Sequence, residues 1–336
     1  MFSLRRIIYA KAVYPNMWKI HGAGISGSYL FNRLKNEGIE VSISDPKISN
    51  FYIPCGFATN RKRIKPYLEK SGIDMEGIQT SSDERVTIEG NNFPPLVLDS
   101  TDICTIDKMM FEALLLQGIE PEKKTDVTGS DYHVDATGIS RSLLPAPARD
   151  KRMFAIEKVC DRSPYDNFYF YFFPKGRGYF WSFPVGDHFH IGAGGIDLME
   201  VRGSLSSFQG LRLLSRNIRM GPIMENIHYG NVVGIGESIG YISPLLGEGI
   251  IPGLESAEML ASSILKGNSF EEILMDYEKQ VNVSLRKFQK LATLVENIQA
   301  SKVMTMENIG ALRLALSEAK NFGINIKLTK VLRHFL

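Results

Sequence analysis

Gly22, Gly24 and Gly27 form a Gly-x-Gly-x-x-Gly turn, completed by Ala23, Ile25 and Ser26. It follows Trp18–Ile20, which read as a short buried strand, and precedes Tyr29, Leu30, Phe31 and Leu34, which share one helical face. In such a turn the first glycine allows the tight bend and the second lets a pyrophosphate approach the backbone. The third lets helix and strand pack closely. A helix beginning near Ser26 and ended by Gly38 would aim free N–H groups and its positive end at the phosphates. Asp45 closes the alternating strand IEVSISD, 23 residues after Gly22, where a carboxylate can accept hydrogen bonds from ribose hydroxyls. A glycine turn alone is weak, but strand, turn, helix, strand and terminal carboxylate in order point to a dinucleotide.

The bulk properties are compatible with that chemistry and exclude others. At 336 residues the chain can form two packed domains, or one domain with a large insertion. A formal net charge of +2 and the lack of a dense basic stretch argue against a nucleic-acid partner. Cys55, Cys104 and Cys160 lie far apart and form no CxxC pair, so neither a zinc site nor a disulfide framework is indicated. A reduced, cytoplasmic compartment is the default expectation. No apolar window reaches the roughly 20 residues of a membrane span. Residues 1–16 lack an apolar core and a cleavage site, and read as an upstream extension without an assigned role.

Two later segments single out FAD. Ala136, Thr137 and Gly138, in DATGISRS, resemble the Ala-Thr-Gly turn at which flavoproteins bring a second strand against the first. The segment 234–257 resembles the stretch that crosses the ribityl chain and the flavin ring. There a Gly-Asp pair meets the ribityl hydroxyls; here the pair is Gly236-Glu237, with a longer carboxylate arm. Pro244 and the turn Gly247-Glu248-Gly249-Ile250 then open a helix whose N–H groups would stabilise negative charge at the flavin edge. Arg141 reads as a surface or phosphate-neighbouring cation.

Two motifs narrow the resemblance to the geranylgeranyl reductase family, within the hydroxylase-like flavoproteins. YFWSFP matches a Tyr-x-Trp-x-Phe-Pro signature at Tyr179, Trp181, Phe183 and Pro184, and PCGFA places Cys55 and Gly56 near the flavin. The likeness spans roughly residues 17–290. It implies reduction of isolated double bonds in a polyprenyl chain, hence a hydrophobic isoprenoid substrate. It also implies an α/β (α+β) architecture: a Rossmann-like FAD-binding domain, an inserted antiparallel-sheet substrate domain and a helical C-terminal region. The expected division assigns 17–60, 97–145 and 225–268 to the FAD domain, 61–96 and 146–224 to the substrate domain, and 269–336 to helices. One departure is that the run DICTIDK, before a helix expected over Thr105–Gly118, lacks the arginine that family members often carry there.

The residue chemistry leaves several points open. Twelve aromatic residues lie between Tyr165 and Phe189, including FYFYFF at 168–173. Strand alternation makes both faces of such a run apolar, which fits a sheet buried on both sides or one whose second face lines an isoprenoid tunnel. Tyr179, Trp181 and Phe183 are the expected substrate wall. Cys55 is the one polar candidate near the ring, for a catalytic or proton-relaying role, although buried cysteines are more often inert packing. His188 and His190 share a strand face but make no metal site without a third ligand. The tail IKLTKVLRHFL separates basic from apolar residues at helical spacing, fitting either docking on the protein's own body or peripheral contact with a membrane's cytoplasmic face. With no second glycine-rich unit the electron donor stays open between ferredoxin and transient NAD(P)H. Flavin monooxygenase or halogenase chemistry and electron transfer to quinone are the rival functions.

Overall fold

The computed structural model describes residues 17–47, 53–91, 93–124, 127, 131–301 and 306–326. The upstream segment 1–16 and tail residues 327–336 lie outside them. In chain order the first elements are β1 (Trp18–His21), α1 (Ile25–Asn36), β2 (Val41–Ser44), β3 (Ala58–Asn60), α2 (Arg61–Ser71), β4 (Gln79–Ser82), β5 (Arg85–Gly90) and β6 (Phe93–Asp99). Then come β7 (Ile103–Ile106), α3 (Lys108–Leu116), β8 (Tyr132–Asp135), β9 (Arg152–Cys160), β10 (Phe168–Phe172), β11 (Gly178–Val185) and β12 (His188–Gly195). The chain continues through α4 (Leu198–Ser204), β13 (Arg212–Arg219), β14 (His228–Tyr229), β15 (Val232–Gly234), α5 (Ile250–Lys266), α6 (Phe270–Gln299) and α7 (Met306–Phe322).

Three sheets result. The first, ordered β14-β15-β8-β1-β2, is parallel except at β14, and its strands come from three distant parts of the sequence. The short length of β1 is sufficient because Trp18 and Ile20 are fully buried under α1, α5 and α6. On α6, Ile273, Tyr277, Val281 and Leu285 recur every fourth residue and are all buried, so one stripe of a 30-residue helix covers the domain. The Tyr277 hydroxyl donates to the Gly234 carbonyl at 2.7 Å, so the largest side chain of the stripe is also satisfied.

The second sheet, ordered β13-β9-β12-β11-β10-β5-β6, is antiparallel except for the β10–β5 pair. The third, β3-β7-β4, bridges the two: Thr105 Oγ1 donates to the Pro184 carbonyl at 2.6 Å. Here the structure corrects one expectation. Thr105 and Ile106, expected to open a helix, instead end β7, because they pair with β3 and β4, and Asp107 then caps α3, accepting from Met110 N at 2.9 Å.

Both faces of the aromatic run are covered. Phe168, Phe170, Trp181 and Phe183 pack with Ala58, Leu246 and Phe322. Tyr169, Phe173 and Phe180 pack on the opposite face with Val201 and Leu205. Of the two arrangements left open by the alternation, the doubly buried sheet is the observed one. The first face is closed by the end of α7, where Phe322 meets the Phe170 ring edge-on.

Leu254, fully buried on α5 between α1 and the parallel sheet, tests this core. Its replacement by alanine is expected to lower unfolding free energy by about 2–5 kcal/mol, measured by urea denaturation of the intact chain.

Candidate cofactor and substrate site

The glycine turn is built by close approach of backbone rather than by side-chain contact. A Cβ on Gly27 would lie 1.9 Å from the Gly22 carbonyl oxygen, and one on Gly22 would lie 2.3 Å from that of Ala136. Gly236, at φ +63°, brings the third segment against the same turn, where a Cβ would meet Ser26 Oγ at 2.3 Å. Gly253 of α5 is held equally close to Ser26, at 2.7 Å. The three segments read separately along the sequence therefore converge on residues 22–27.

Gly24 is different. The nearest heavy atom to a Cβ there is Glu112 Oε1, at 3.9 Å, so packing within the chain does not demand glycine. The α1 N-terminus beside it has no side-chain cap and no acidic residue in its first turn. Together these leave an open, uncapped helix end of the kind at which a pyrophosphate binds. Asp45 stands at its edge, accepting from Ala23 N at 2.7 Å and from Lys47 N at 2.9 Å, which sets its carboxylate at the end of β2.

The second and third segments are fixed from beneath. Asp135, fully buried, accepts from Thr137 N and Oγ1 and from Leu143 N and Leu144 N, and so shapes the Ala136-Thr137-Gly138 turn. Arg141 is not a surface cation. It is buried and donates to the carbonyls of Pro145 (2.8 Å), Ser238 (2.5 Å) and Asn226 (2.6 Å). Five donors in a rigid fork suit a guanidinium to gathering carbonyls that no helix or strand satisfies. Glu237 is likewise committed: its carboxylate accepts from the Arg216 guanidinium and from Arg219 N at 3.1 Å, which turns the longer arm toward β13.

The turn before α5 meets the aromatic signature directly. Tyr179 donates its hydroxyl to the Leu246 carbonyl, and a Cβ on Gly247 would lie 3.6 Å from that hydroxyl. Glu248 accepts from Ile251 N at 2.7 Å; Gly249 is the N-cap residue and Ile250 the first residue of α5. Burial pushes the Glu248 carboxyl up to about 7.

On the other side of the signature lies the Pro54-Cys55-Gly56 segment. A Cβ on Gly56 would meet Phe183 at 2.5 Å and Trp181 Nε1 at 3.1 Å, so the segment lies flat on the ring faces. Trp181 Nε1 is buried without a hydrogen-bond partner. Burial raises the Cys55 thiol above its ordinary value, which keeps it protonated at neutral pH. Trp181 also lies over Gly192, where a Cβ would clash at 2.2 Å. Pro184, the last signature residue, contributes the carbonyl that Thr105 binds.

Strand register extends this face. Phe183 pairs with His190, Trp181 with Gly192, and Gly192 with Glu157, so all lie on one side of the sheet. His190 Nδ1 bonds the Cys55 carbonyl at 2.9 Å and faces the fully buried Glu157 carboxylate at 3.3 Å. Burial alone would lower the imidazole's proton affinity, but the Glu157 carboxylate outweighs it and the net shift is upward. His188, half-buried, pairs instead with Asp187, and no group of metal-ligating side chains occurs among the described residues. Sequence reasoning missed His190 and Glu157 as supports of the Cys55 segment, because only strand register brings them together.

Lys108 was also missed. The first residue of α3, it is buried and pairs with Glu112 at 2.6 Å, the same carboxylate that lies nearest Gly24. A lysine opening a helix runs against the helix dipole, which was the available signal. It places a cation at the cradle where the arginine of the family pattern is lacking.

The residues fit FAD: an open cradle at Gly24, a carboxylate at Asp45, and a flat ring-lined wall between Cys55 and Gly247. Such a fold and site define the FAD-dependent flavoprotein class. Comparison with known proteins agrees. No family profile matches the chain. An uncharacterized protein of Methanocaldococcus jannaschii is 24% identical over 345 aligned positions, covering 84% of this chain and 92% of that one. Digeranylgeranylglycerophospholipid reductases of Methanococcus vannielii and Methanothrix thermoacetophila are 30% and 28% identical, over 33% and 47% of this chain and 33% and 48% of their own lengths. A geranylgeranyl bacteriochlorophyll reductase-like structure from Thermoplasma acidophilum superposes with TM-score 0.69 at 16% identity, covering 91% of this chain and 98% of that one. A flavin-dependent brominase gives 0.66 at 13% identity, covering 94% and 97%. The chain thus has the fold shared by these reductases and flavin-dependent enzymes, and its sequence is similar to the lipid reductases.

Two glycine substitutions separate packing from cofactor contact. Gly27→Ala is expected to destabilise the fold itself, read as a lowered melting temperature without added FAD. Gly24→Ala should leave that temperature within a few degrees while weakening FAD affinity tenfold or more, about 1.4 kcal/mol in a fluorescence titration.

Proposed function

We propose that the protein is an FAD-dependent reductase of isolated double bonds in a polyprenyl chain of an isoprenoid lipid. The observation that carries the reading is the placement of Tyr179, Trp181 and Phe183. They form one apolar wall that touches Cys55-Gly56 at one end and Leu246-Gly247 at the other, the two segments that the flavoprotein resemblance assigns to the ring. Tyr179 and Phe172 stay half-buried at the rim of this cluster beside Leu96 and Leu245, an apolar border suited to a prenyl tail.

An unactivated alkene offers no carbonyl to stabilise a carbanion, so hydride delivery to one carbon must be matched by a proton at the other. Reduced FAD would supply the hydride from N5. The chain's tasks are then to orient the tail, exclude water and hold a proton nearby. Tyr179 at the half-buried rim serves the first and the covered Trp181 and Phe183 behind it the second; the protonated Cys55 thiol and the Glu248 carboxyl are the groups beside the wall that can carry a proton.

The test is anaerobic: dithionite-reduced protein is mixed with a geranylgeranylated lipid while flavin absorbance and product mass are followed. Flavin reoxidation with a gain of two hydrogens per double bond is expected; no reoxidation with that lipid or with a menaquinone counts against the reading. The likeness to a flavin-dependent brominase favours a second reading, an oxygen-using monooxygenase or halogenase, which substrate-coupled oxygen consumption would reveal. Trp181→Ala should keep FAD bound and lower alkene reduction at least tenfold. Full activity in that variant would remove the aromatic wall from the site.

A further inference from the structure

The N-terminus of α5 has few N–H groups to offer a ligand, and the sequence explains why. Ile251 N is taken by the Glu248 carboxylate at 2.7 Å, and Pro252 has no N–H. Gly253 N bonds the Gly249 carbonyl, as the helix requires. Glu248 therefore occupies the helix end that the flavoprotein resemblance turns toward the electron-rich edge of the ring. Glycines flank it on both sides, Gly247 at φ +62° and Gly249 at the N-cap, and Gly247 lies against the Tyr179 hydroxyl of the proposed substrate wall. A fixed negative charge there would oppose reduction of a cofactor whose reduced form is an anion. A neutral carboxyl would not.

We propose that Glu248 is a redox-linked proton site: it takes up a proton when negative charge arrives at the α5 end on cofactor reduction, and releases it when that charge leaves. The inference rests on the FAD reading above but not on the identity of the substrate. In balance, a donor supplies two electrons, the bound FAD takes them with one proton to become its reduced anion, and a second proton from solvent neutralises the Glu248 carboxylate. When an alkene accepts hydride at one carbon, the Glu248 proton leaves for the other carbon, through the site, and the carboxylate is restored.

The surroundings favour the switch. The carboxyl is held at about 7 by the balance of its surroundings: burial raises it most, the Ile251 N–H and Arg63 of α2 pull it down, and Glu318 of α7 and Glu255 of α5 push it up. Tyr67 of α2 and Tyr179 of β11 also face it, each held protonated by burial. An anion added at the helix end is a like charge and raises the carboxyl further. Uptake is therefore greatest just above pH 7. It vanishes well below that, where the oxidised form is already protonated, and also above the raised value, where neither form is.

The experiment is a spectroelectrochemical titration of the FAD-loaded protein across pH, comparing wild type with Glu248→Gln. The amide oxygen of the variant can still accept from Ile251 N, so the helix cap is kept. Between about pH 7 and 8 the wild type is expected to take up close to one more proton per two electrons, seen as a steeper fall of midpoint potential with pH. Below about pH 5.5 the two should coincide. Glu318→Gln should keep the extra slope, with its window moved somewhat to lower pH because the Glu318 charge no longer raises the carboxyl. Equal slopes for wild type and Glu248→Gln at every pH would overturn the proposal, as would the loss of the extra slope in Glu318→Gln alone. Should Glu248→Gln fail to hold FAD, the reduced-minus-oxidised infrared spectrum of the wild type decides. A carboxyl carbonyl band gained on reduction near pH 7.5 supports the proposal, and no band overturns it. Normal proton uptake without alkene reduction would sink only the substrate reading, whereas absence of FAD binding would sink both.

Discussion

The structure depends on backbone meeting backbone where no side chain can stand. Gly22 and Gly27 close on each other, Ala136 closes on both, and Gly236 and Gly253 press on Ser26. The Gly22 and Gly27 contacts are with backbone and are too short for any Cβ, so β1 and the turn after β8 can meet only if these two positions are glycine, while Gly236 and Gly253 leave room for the Ser26 side chain. Once they meet, β1, β8 and β15 must lie side by side, and that register carries α1, α3 and α5 with it. Asp135 and Arg141 satisfy the polar groups that the convergence leaves inside. A buried carboxylate with four donors and a buried guanidinium on carbonyls are stable only because nearly every group in the arrangement is paired.

The second sheet divides its inner face by chemistry. The β10 and β11 side is aromatic, Gly192 makes room for the Trp181 indole, and the β9 and β13 side is charged. On that charged side Glu157 meets His190, which holds Cys55 from behind, while Arg216 holds Glu237 of the third flavin segment. Removing one partner of a buried pair such as Glu157–His190 typically costs about 3–5 kcal/mol, because the other charge is left stranded. The pairs thus tie a rigid sheet to two otherwise irregular turns, and so fix the spacing between the proposed ring site and the apolar wall.

Much of this was legible in the chain. The glycine spacing and Asp45 gave the β1–α1–β2 unit nearly to the residue, since each position answers a local steric demand. The Ala-Thr-Gly and Gly-Glu-Gly turns were legible for the same reason. What escaped was set by strand pairing rather than by spacing along the chain. Thr105 and Ile106 have a helical look in isolation and belong to a strand because β3 and β4 flank them. His190 and Glu157 are 33 positions apart and come together only through the β12–β9 register. The alternation in 168–173 could not tell a tunnel wall from a doubly covered sheet, because the cover comes from α4 and from α7, far along the chain.

The most direct test of this organisation is the identity and stoichiometry of the bound cofactor. The protein would be purified, reconstituted with an equimolar mixture of FAD, FMN and NAD, desalted and denatured, and the released nucleotides separated by chromatography. One FAD per chain, with the other two left behind, is expected from a cradle that spans a pyrophosphate, an adenosine ribose and a flat ring. Retention of NAD in place of FAD, or of no nucleotide by a fully folded chain, would contradict the assignment of the three converging turns to a flavin.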